Sequence, residues 1–170
     1  QMCIRDRDTA FRAVFRLDRD TSGLVMVAKH ELAAAKLSGK IKKDYYAVLT
    51  GVPENKSGII NAPIARCGDS IIKRKVSPDG EYSVSEYKTI KISNGNALVK
   101  FNLLTGRTHQ IRVHSAYMGH PLLGDTMYGG DTALIKRQAL HCKDIYFTHP
   151  VTETEMHLSC DFPSDIKEVL

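Results

Sequence analysis

The sequence predicts an α+β fold. Many short segments rich in strand-forming residues are joined by hairpin turn signals, whereas only three segments have a helical composition. Helices and strands do not alternate regularly, which argues against a doubly wound parallel sheet. The chain has 170 residues, and 42% of them are hydrophobic, so it is long and apolar enough to bury a core of its own.

The first half of the chain contains two strand signals around one helix signal. Residues 24–29 read as a buried strand, and residues 31–42 read as an alanine-rich helix that Gly39 weakens near its end. Residues 45–51 form a second strand signal, stopped by Gly51 and Pro53. Residues 57–64 read as a short extended piece, which Pro63 places at a sheet edge.

The second half shows two hairpins and then a helix. The turn SPDG (77–80) separates predicted strands 71–76 and 82–92, and the turn SNGN (93–96) joins residues 85–92 to a strand ending near 103. A helix is predicted over 109–118, with Thr108 as its N-cap and Gly119 at its end. Residues 120–130 read as a loop, residues 139–147 and 155–158 as strands, and residues 163–170 as a helix.

One polar stretch, FRLDRDTSG (15–23), stands directly before the first strand signal. Turn formation explains residues 20–23, because Asp, Thr, Ser and Gly bond neighbouring backbone groups. It does not explain the carboxylate of Asp18, which stands close to Arg16 and Arg19. We therefore hypothesise that Asp18 is a catalytic carboxylate that arginine keeps ionised.

A second polar stretch, GRTHQIRVH (106–114), lies at the start of the predicted helix. On a helix, His109 and Arg112 project from the same side, near an end that favours anions. The stretch contains no acidic residue, unlike an ordinary exposed helix. Two arginine-bearing stretches suggest a buried Asp–Arg pair, in which an ionised Asp acts as a nucleophile or stabilises positive charge.

The net charge, the cysteines and the apolar runs of the chain limit the partners and the cellular location that we expect. The net charge of +5 suits a polyanionic partner. The four cysteines are widely spaced and form no C-x-x-C pair, which predicts reduced thiols in a cytoplasmic protein and no metal site. The longest apolar run is too short to cross a membrane, and no signal peptide is visible. We expect a monomer that does not bind membranes.

Three segments together resemble the signature motifs of the RluA-type pseudouridine synthases, and they occur in that family's order. They are RLDRDTSG (16–23), KDYYA (43–47) and GRTHQIRVH (106–114), and the match extends from about residue 12 to residue 162. The resemblance implies a mixed, mainly antiparallel sheet with flanking helices. It also implies isomerisation of uridine to pseudouridine in structured ribosomal or transfer RNA, without cofactor or metal.

The resemblance also assigns roles to individual residues. It implies that Asp18 is the catalytic carboxylate and that Arg112 is its ion-pair partner. Tyr45 is the aromatic residue that stacks on the base and assists removal of the C5 proton. Arg16 fills the gap left by the flipped nucleotide. We expect RNA contacts from five residues: Arg16, Arg19, Arg107, His109 and Gln110.

The sequence departs from the family pattern in ways that leave two alternatives open. Phe15 stands where many members have histidine, and the usual Lys-Pro-Ala-Gly-like segment and S4-like domain are missing. We expect residues 1–170 to form a single catalytic domain without the N-terminal strand region, and we set residues 1–8 aside. One alternative is a catalytically impaired RNA-binding module of the same fold. The other is a hydrolase that uses Asp18 with His109 or His114.

Overall fold

The computed structural model describes residues 12–68 and 70–170, so residues 1–8 and Cys3 lie outside the described part. Its helices are α1 (Glu31–Leu37), α2 (Gln110–Tyr117) and α3 (Ser164–Glu168). Five short strands lie outside the main path of the sheet: β1 (Arg12–Ala13), β2 (Ser22–Gly23), β3 (Val27–Ala28), β6 (Ile64–Arg66) and β7 (Arg74–Val76). Cys67, Cys142 and Cys160 are free thiols, as predicted for these three.

A seven-stranded sheet organises the fold. From one edge to the other, its main path is β11 (Glu155–Ser159), β10 (Leu140–Thr148), β4 (Lys42–Leu49), β9 (Asn96–Leu103), β8 (Val84–Ser93) and β5 (Ser57–Asn61). All these neighbours are antiparallel, whereas β2 lies parallel to β10. The predicted α+β class with a mixed, mainly antiparallel sheet is therefore confirmed.

The sheet buries apolar side chains on both faces, because successive residues of a strand point to opposite sides. On β4, Tyr45 and Leu49 belong to the larger core, which also contains Ile111 of α2. Val48 belongs to the smaller core on the other face, which contains Ile166 of α3. Lys43 is two residues before Tyr45 and therefore shares its face.

One of the two predicted hairpins is confirmed. Asn94 and Gly95 take positive φ angles of 51° and 75°, and they join β8 to β9 in the expected turn. The turn at 77–80 also forms, since the Gly80 N–H donates to the Ser77 carbonyl at 2.9 Å. The strand pairing predicted across it is wrong. Both sides of β8 are occupied by β5 and β9, so β7 pairs with β6 (Ile64–Arg66) instead.

Two predicted elements near the N-terminus are shorter than expected. The helix predicted over 31–42 ends at Leu37, because Gly39 takes a positive φ of 71°, and β4 already begins at Lys42. The strand predicted over 24–29 is reduced to β3. Val25 and Val27 remain 48% and 40% exposed, whereas Leu24 and Met26 pack against the larger core, so this apolar run is half-buried rather than fully buried.

The helix predicted over 109–118 is confirmed in type and position as α2, but its N-cap is not Thr108. His109 is the N-cap residue, with a left-handed backbone at φ 59°, and its side chain makes no capping hydrogen bond. Gly119 follows the helix at φ 82°, as predicted for its end. The side chains of residues 110–115 are all buried, so α2 runs through the interior.

Candidate active site

The loop that carries Asp18 is held from outside by the segment before β10. Thr21 N–H donates to the Asp18 carbonyl at 3.0 Å and closes the turn. The Arg137 guanidinium donates to the Asp20 carbonyl at 3.1 Å, and the Gln138 amide donates to the Arg19 carbonyl. These main-chain contacts anchor the loop and leave the Asp18 side chain available.

A cavity of about 430 Å³ adjoins this loop, a size suited to a nucleoside. Its lining joins the three motif segments named in the sequence, through Asp18, Tyr45 and His109. Within the described part of the chain, the Asp18 carboxylate makes no hydrogen bond and no ion pair within 4 Å. The structure therefore places an unpartnered carboxylate at the wall of a nucleoside-sized cavity.

Tyr45 contributes an aromatic wall to this cavity. Its side chain is largely buried in β4, opposite Phe101 on one neighbouring strand and Cys142 on the other. Burial raises the pKa of the Tyr45 phenol far above its usual range, and Cys142 and Asp18 raise it further. The raised pKa makes the Tyr45 phenol, already protonated at neutral pH, still harder to ionise.

Arg112 does not pair with Asp18 as predicted. Its Nε and Nη2 donate to the two carboxylate oxygens of Asp125, at 2.7 and 2.8 Å. Both side chains are buried, at 7% and 1% exposure. The predicted direct ion pair is therefore wrong: Asp125 occupies one edge of the guanidinium. Burial lowers the Arg112 pKa, but the hydrogen bonds and charge of Asp125 raise it, and the charge of Asp18 raises it further. The pKa is raised as a result.

Tyr128 links Arg112 to the remaining polar groups. The Arg112 guanidinium lies 5.0 Å from the centre of the Tyr128 ring, a cation–π distance. The Tyr128 hydroxyl lies 2.9 Å from His109 Nδ1 and accepts the main-chain N–H of Arg74 at 3.0 Å. The phenol thus connects the helix start, the buried ion pair and strand β7.

His109 sits between the main cavity and a second cavity of about 280 Å³ that Arg112 and Asp125 line. Its side chain is buried, with 7% of its surface exposed. Burial lowers the pKa of the imidazole and the Arg112 charge lowers it further, while Asp18 acts in the opposite direction. His109 is therefore neutral at neutral pH.

The other predicted RNA contacts differ in their availability. Arg16 and Arg19 are exposed and line the cavity. Arg107 also lines it, although its guanidinium pairs with Glu81 at 2.6 Å. Gln110 is 2% exposed, and both ends of its amide form hydrogen bonds inside the protein. The RNA contact predicted for Gln110 is therefore wrong. The Gln110 amide joins residues 84, 85, 105 and 107.

Three residues at the site received no separate role from the sequence. Lys43 lines the main cavity, and its ammonium group lies 4.5 Å from the centre of the Phe15 ring. Burial lowers the Lys43 pKa. Asp125 and Tyr128 belong to the loop predicted over 120–130. No spacing rule connects the acid of that loop to an arginine 13 residues earlier.

Residues 12–68 and 70–170 contain no group of three or more His, Cys, Asp or Glu side chains arranged to bind a metal ion. Within the same ranges, no helix has both the length and the apolar character needed to cross a membrane.

Comparison with known proteins connects this site to one family. The family model described as RNA pseudouridylate synthase matches residues 5–117. The Bacillus subtilis protein named uncharacterized RNA pseudouridine synthase YjbO is 44% identical over 162 residues, covering 92% of this chain and 57% of the relative. Ribosomal large subunit pseudouridine synthase D of Vibrio cholerae is 38% identical over 175 residues, covering 92% of this chain and 54% of the relative.

Solved structures show the same fold. The human RNA pseudouridylate synthase domain containing 1 aligns with a TM-score of 0.78 at 25% identity, over 91% of this chain and 70% of that one. This chain spans a little over half the length of the two bacterial relatives, at 57% and 54%. The match of the family model to most of the sequence, and identities well above 30%, show that the chain belongs to the RNA pseudouridylate synthase family.

Proposed function

We propose that this protein isomerises uridine to pseudouridine in structured RNA, with Asp18 as the catalytic carboxylate. The N1–C1′ bond of uridine breaks, the uracil turns in the cavity, and C5 bonds to C1′. C5 loses a proton and N1 gains one, so the reaction adds and removes no atoms. The observation that carries this proposal is the unpartnered Asp18 carboxylate, which lines the cavity together with Tyr45 and His109.

Each main residue has a part that follows from its surroundings. An ionised Asp18 attacks the target nucleotide or assists the departure of the base. Tyr45 supplies a stacking face, and its raised pKa favours this part over that of a base for the C5 proton. Arg112 keeps positive charge near Asp18 while Asp125 holds its guanidinium in place.

The RNA must bring a single uridine into the cavity. A uridine in a stem leaves the stack before its glycosidic bond can be reached, at a cost of a few kcal/mol. Arg16 and Arg19 are exposed at the cavity, where they can fill the vacated position or bind phosphates. Ribosomal RNA is the first expected substrate, because the Vibrio cholerae relative is named for the large ribosomal subunit. Transfer RNA is the second, and we expect a cytoplasmic monomer.

The two alternatives receive less support from the geometry. His114 is fully buried, and its ring nitrogens lie 2.9 Å from Ser85 Oγ and the Ala62 carbonyl, so it is not available to a hydrolase. His109 lines the cavity with Asp18, but its hydrogen bond goes to Tyr128 and not to that carboxylate, and the family of the chain favours the isomerase. An impaired RNA-binding module would not need Asp18 and Tyr45 at one cavity. The isomerase is therefore the better interpretation.

The test compares two aspartates of the same loop. Wild-type protein, Asp18→Asn and Asp20→Asn are incubated with ribosomal and transfer RNA transcripts, and pseudouridine is mapped by carbodiimide labelling and primer extension. We expect wild-type protein and Asp20→Asn to form pseudouridine and Asp18→Asn to form none. Asp20 is a suitable control because it is exposed and its left-handed backbone (φ 67°) also suits asparagine. Equal modification by Asp18→Asn would remove Asp18 from the mechanism.

A further inference from the structure

The hydroxyl of Tyr128 has two hydrogen-bonding neighbours, and together they determine where its proton lies. The main-chain N–H of Arg74 is 3.0 Å away and can only donate, so the phenol oxygen accepts that bond. His109 Nδ1 is 2.9 Å away and can either donate or accept. Whether the hydroxyl donates its proton to Nδ1 therefore determines which nitrogen of the imidazole is protonated.

Only one arrangement satisfies all three groups. If His109 carried its proton on Nδ1, both neighbours would donate to Tyr128, and no acceptor among the described residues would take the phenol proton. If Tyr128 donates to Nδ1, the phenol gives one bond and receives one. The Tyr128 hydroxyl is partly buried, and the second arrangement gives each hydrogen-bonding atom of the trio a protein partner, so it is favoured. Burial also raises the Tyr128 pKa, which keeps the phenol proton available.

This assignment places the imidazole proton on Nε2. No described residue forms a hydrogen bond with His109 Nε2, although His109 borders both cavities. The side chain is therefore held at one nitrogen and free at the other. A neutral N–H next to a nucleoside-sized cavity is suited to an oxygen acceptor of the ligand.

We propose that Tyr128 is a positioning residue that holds His109 as its Nε2–H tautomer, and that this N–H donates to an oxygen of the nucleotide bound beside Asp18. The identity of the ligand rests on the proposed function, whereas the tautomer rests on the protein alone. Tyr128 is suited to this part because three elements fix it: Arg112 of α2, Arg74 of β7 and its own loop.

The charged groups around His109 are consistent with a neutral ring. Arg112 and Arg74 oppose protonation, while Asp18 and Asp125 favour it. Asp125 is already bound to Arg112 through two hydrogen bonds, which reduces its effect on the imidazole. Binding of a nucleotide beside Asp18 brings in an acceptor and requires no change in the protonation of His109.

Histidine NMR tests the tautomer without any activity. Two-bond ¹H–¹⁵N correlation spectra are recorded at neutral pH, and the His109 signals among the seven histidines are identified from their loss in His109→Gln. We expect the Nε2–H pattern in wild-type protein and a shift towards Nδ1–H in Tyr128→Phe, which keeps the ring but lacks the hydroxyl. Tyr117→Phe, at an exposed site on α2, should leave the pattern unchanged. An Nδ1–H or doubly protonated His109 in wild-type protein would overturn the proposal.

Single-turnover kinetics test the donor role. His109→Gln keeps a side-chain N–H donor, whereas His109→Met has similar length and none. We expect His109→Met to be slower than His109→Gln by about threefold to tenfold, as for one uncharged hydrogen bond. Equal rates would overturn the donor role. If wild-type protein modifies no RNA, the proposed function and the donor role both fail, while the spectra still decide the tautomer.

Discussion

Replacing Asp125 by asparagine should destabilise this protein far more than the same change at Asp165. Asp125 and Asp165 each bind one arginine through two hydrogen bonds, with similar distances of 2.7–2.8 Å and 2.7–2.9 Å. The pairs differ in burial. The side chains of Arg112 and Asp125 are 7% and 1% exposed, whereas those of Arg137 and Asp165 are 22% and 41% exposed.

The expected magnitudes follow from that difference. Removing one partner of a buried pair leaves an uncompensated charge and costs about 3–5 kcal/mol. An exposed pair is worth about 0–1 kcal/mol. With an m-value of roughly 2 kcal/mol per M urea, Asp125→Asn should lower the unfolding midpoint by about 1.5–2.5 M and Asp165→Asn by less than about 0.5 M.

Urea unfolding followed by circular dichroism measures both free energies under identical conditions. The double variant Arg112→Met with Asp125→Leu separates stability from chemistry, because replacing a buried pair by apolar side chains is often neutral. It should recover most of the lost stability and still form no pseudouridine. Equal losses for Asp125→Asn and Asp165→Asn would refute the argument that burial makes the Arg112–Asp125 pair important.

Three further predictions concern the loop, the interior and the cavity. Gly124→Ala should destabilise more than Gly119→Ala in the same urea assay: both sites have positive φ, costing about 1–2 kcal/mol for alanine, but only at Gly124 would the new methyl group overlap main-chain atoms. Burial lowers the His114 pKa below its ordinary value of 6.5, so the neutral ring supports folding above that pH. Stability should fall as the pH drops from 6.5 through the folded-state pKa, by up to about 1.4 kcal/mol per pH unit, and a flat profile between neutral and mildly acidic pH would contradict this. Lys43 lines the cavity, where we expect its ammonium group to bind the nucleotide, so Lys43→Met should slow pseudouridine formation by about tenfold or more through loss of that charged hydrogen bond. Lys42→Met, exposed on the opposite face of β4, should not.

Local features of this protein were predictable from neighbouring residues. The turn at Asn94 and Gly95 needs two residues with positive φ, and Gly119 ends α2 for the same reason. The type and position of α2 also followed from residues 109–118, because helix periodicity and end signals are local. The error at its N-cap was a single residue, since the left-handed backbone of His109 leaves no signal in the sequence.

Partner choice was not predictable in the same way. The turn at 77–80 was correct, yet β7 pairs with β6, because β5 and β9 already occupy both sides of β8. An arginine near Asp18 was expected, and Arg112 is close enough for the Asp18 charge to raise its pKa. Its hydrogen bonds nevertheless go to Asp125, a loop aspartate for which no partner was predicted.

The sequence by itself determined which side chains carry chemistry and which family the chain resembles, because short motifs encode residue type and local geometry. Asp18, Tyr45 and His109 could be singled out in this way, and they line one cavity. Only the tertiary structure decided that Asp125 binds Arg112 and that Tyr128 connects His109 to β7. These contacts depend on how distant segments pack around the sheet, and the free energy of that packing does not reside in any one segment.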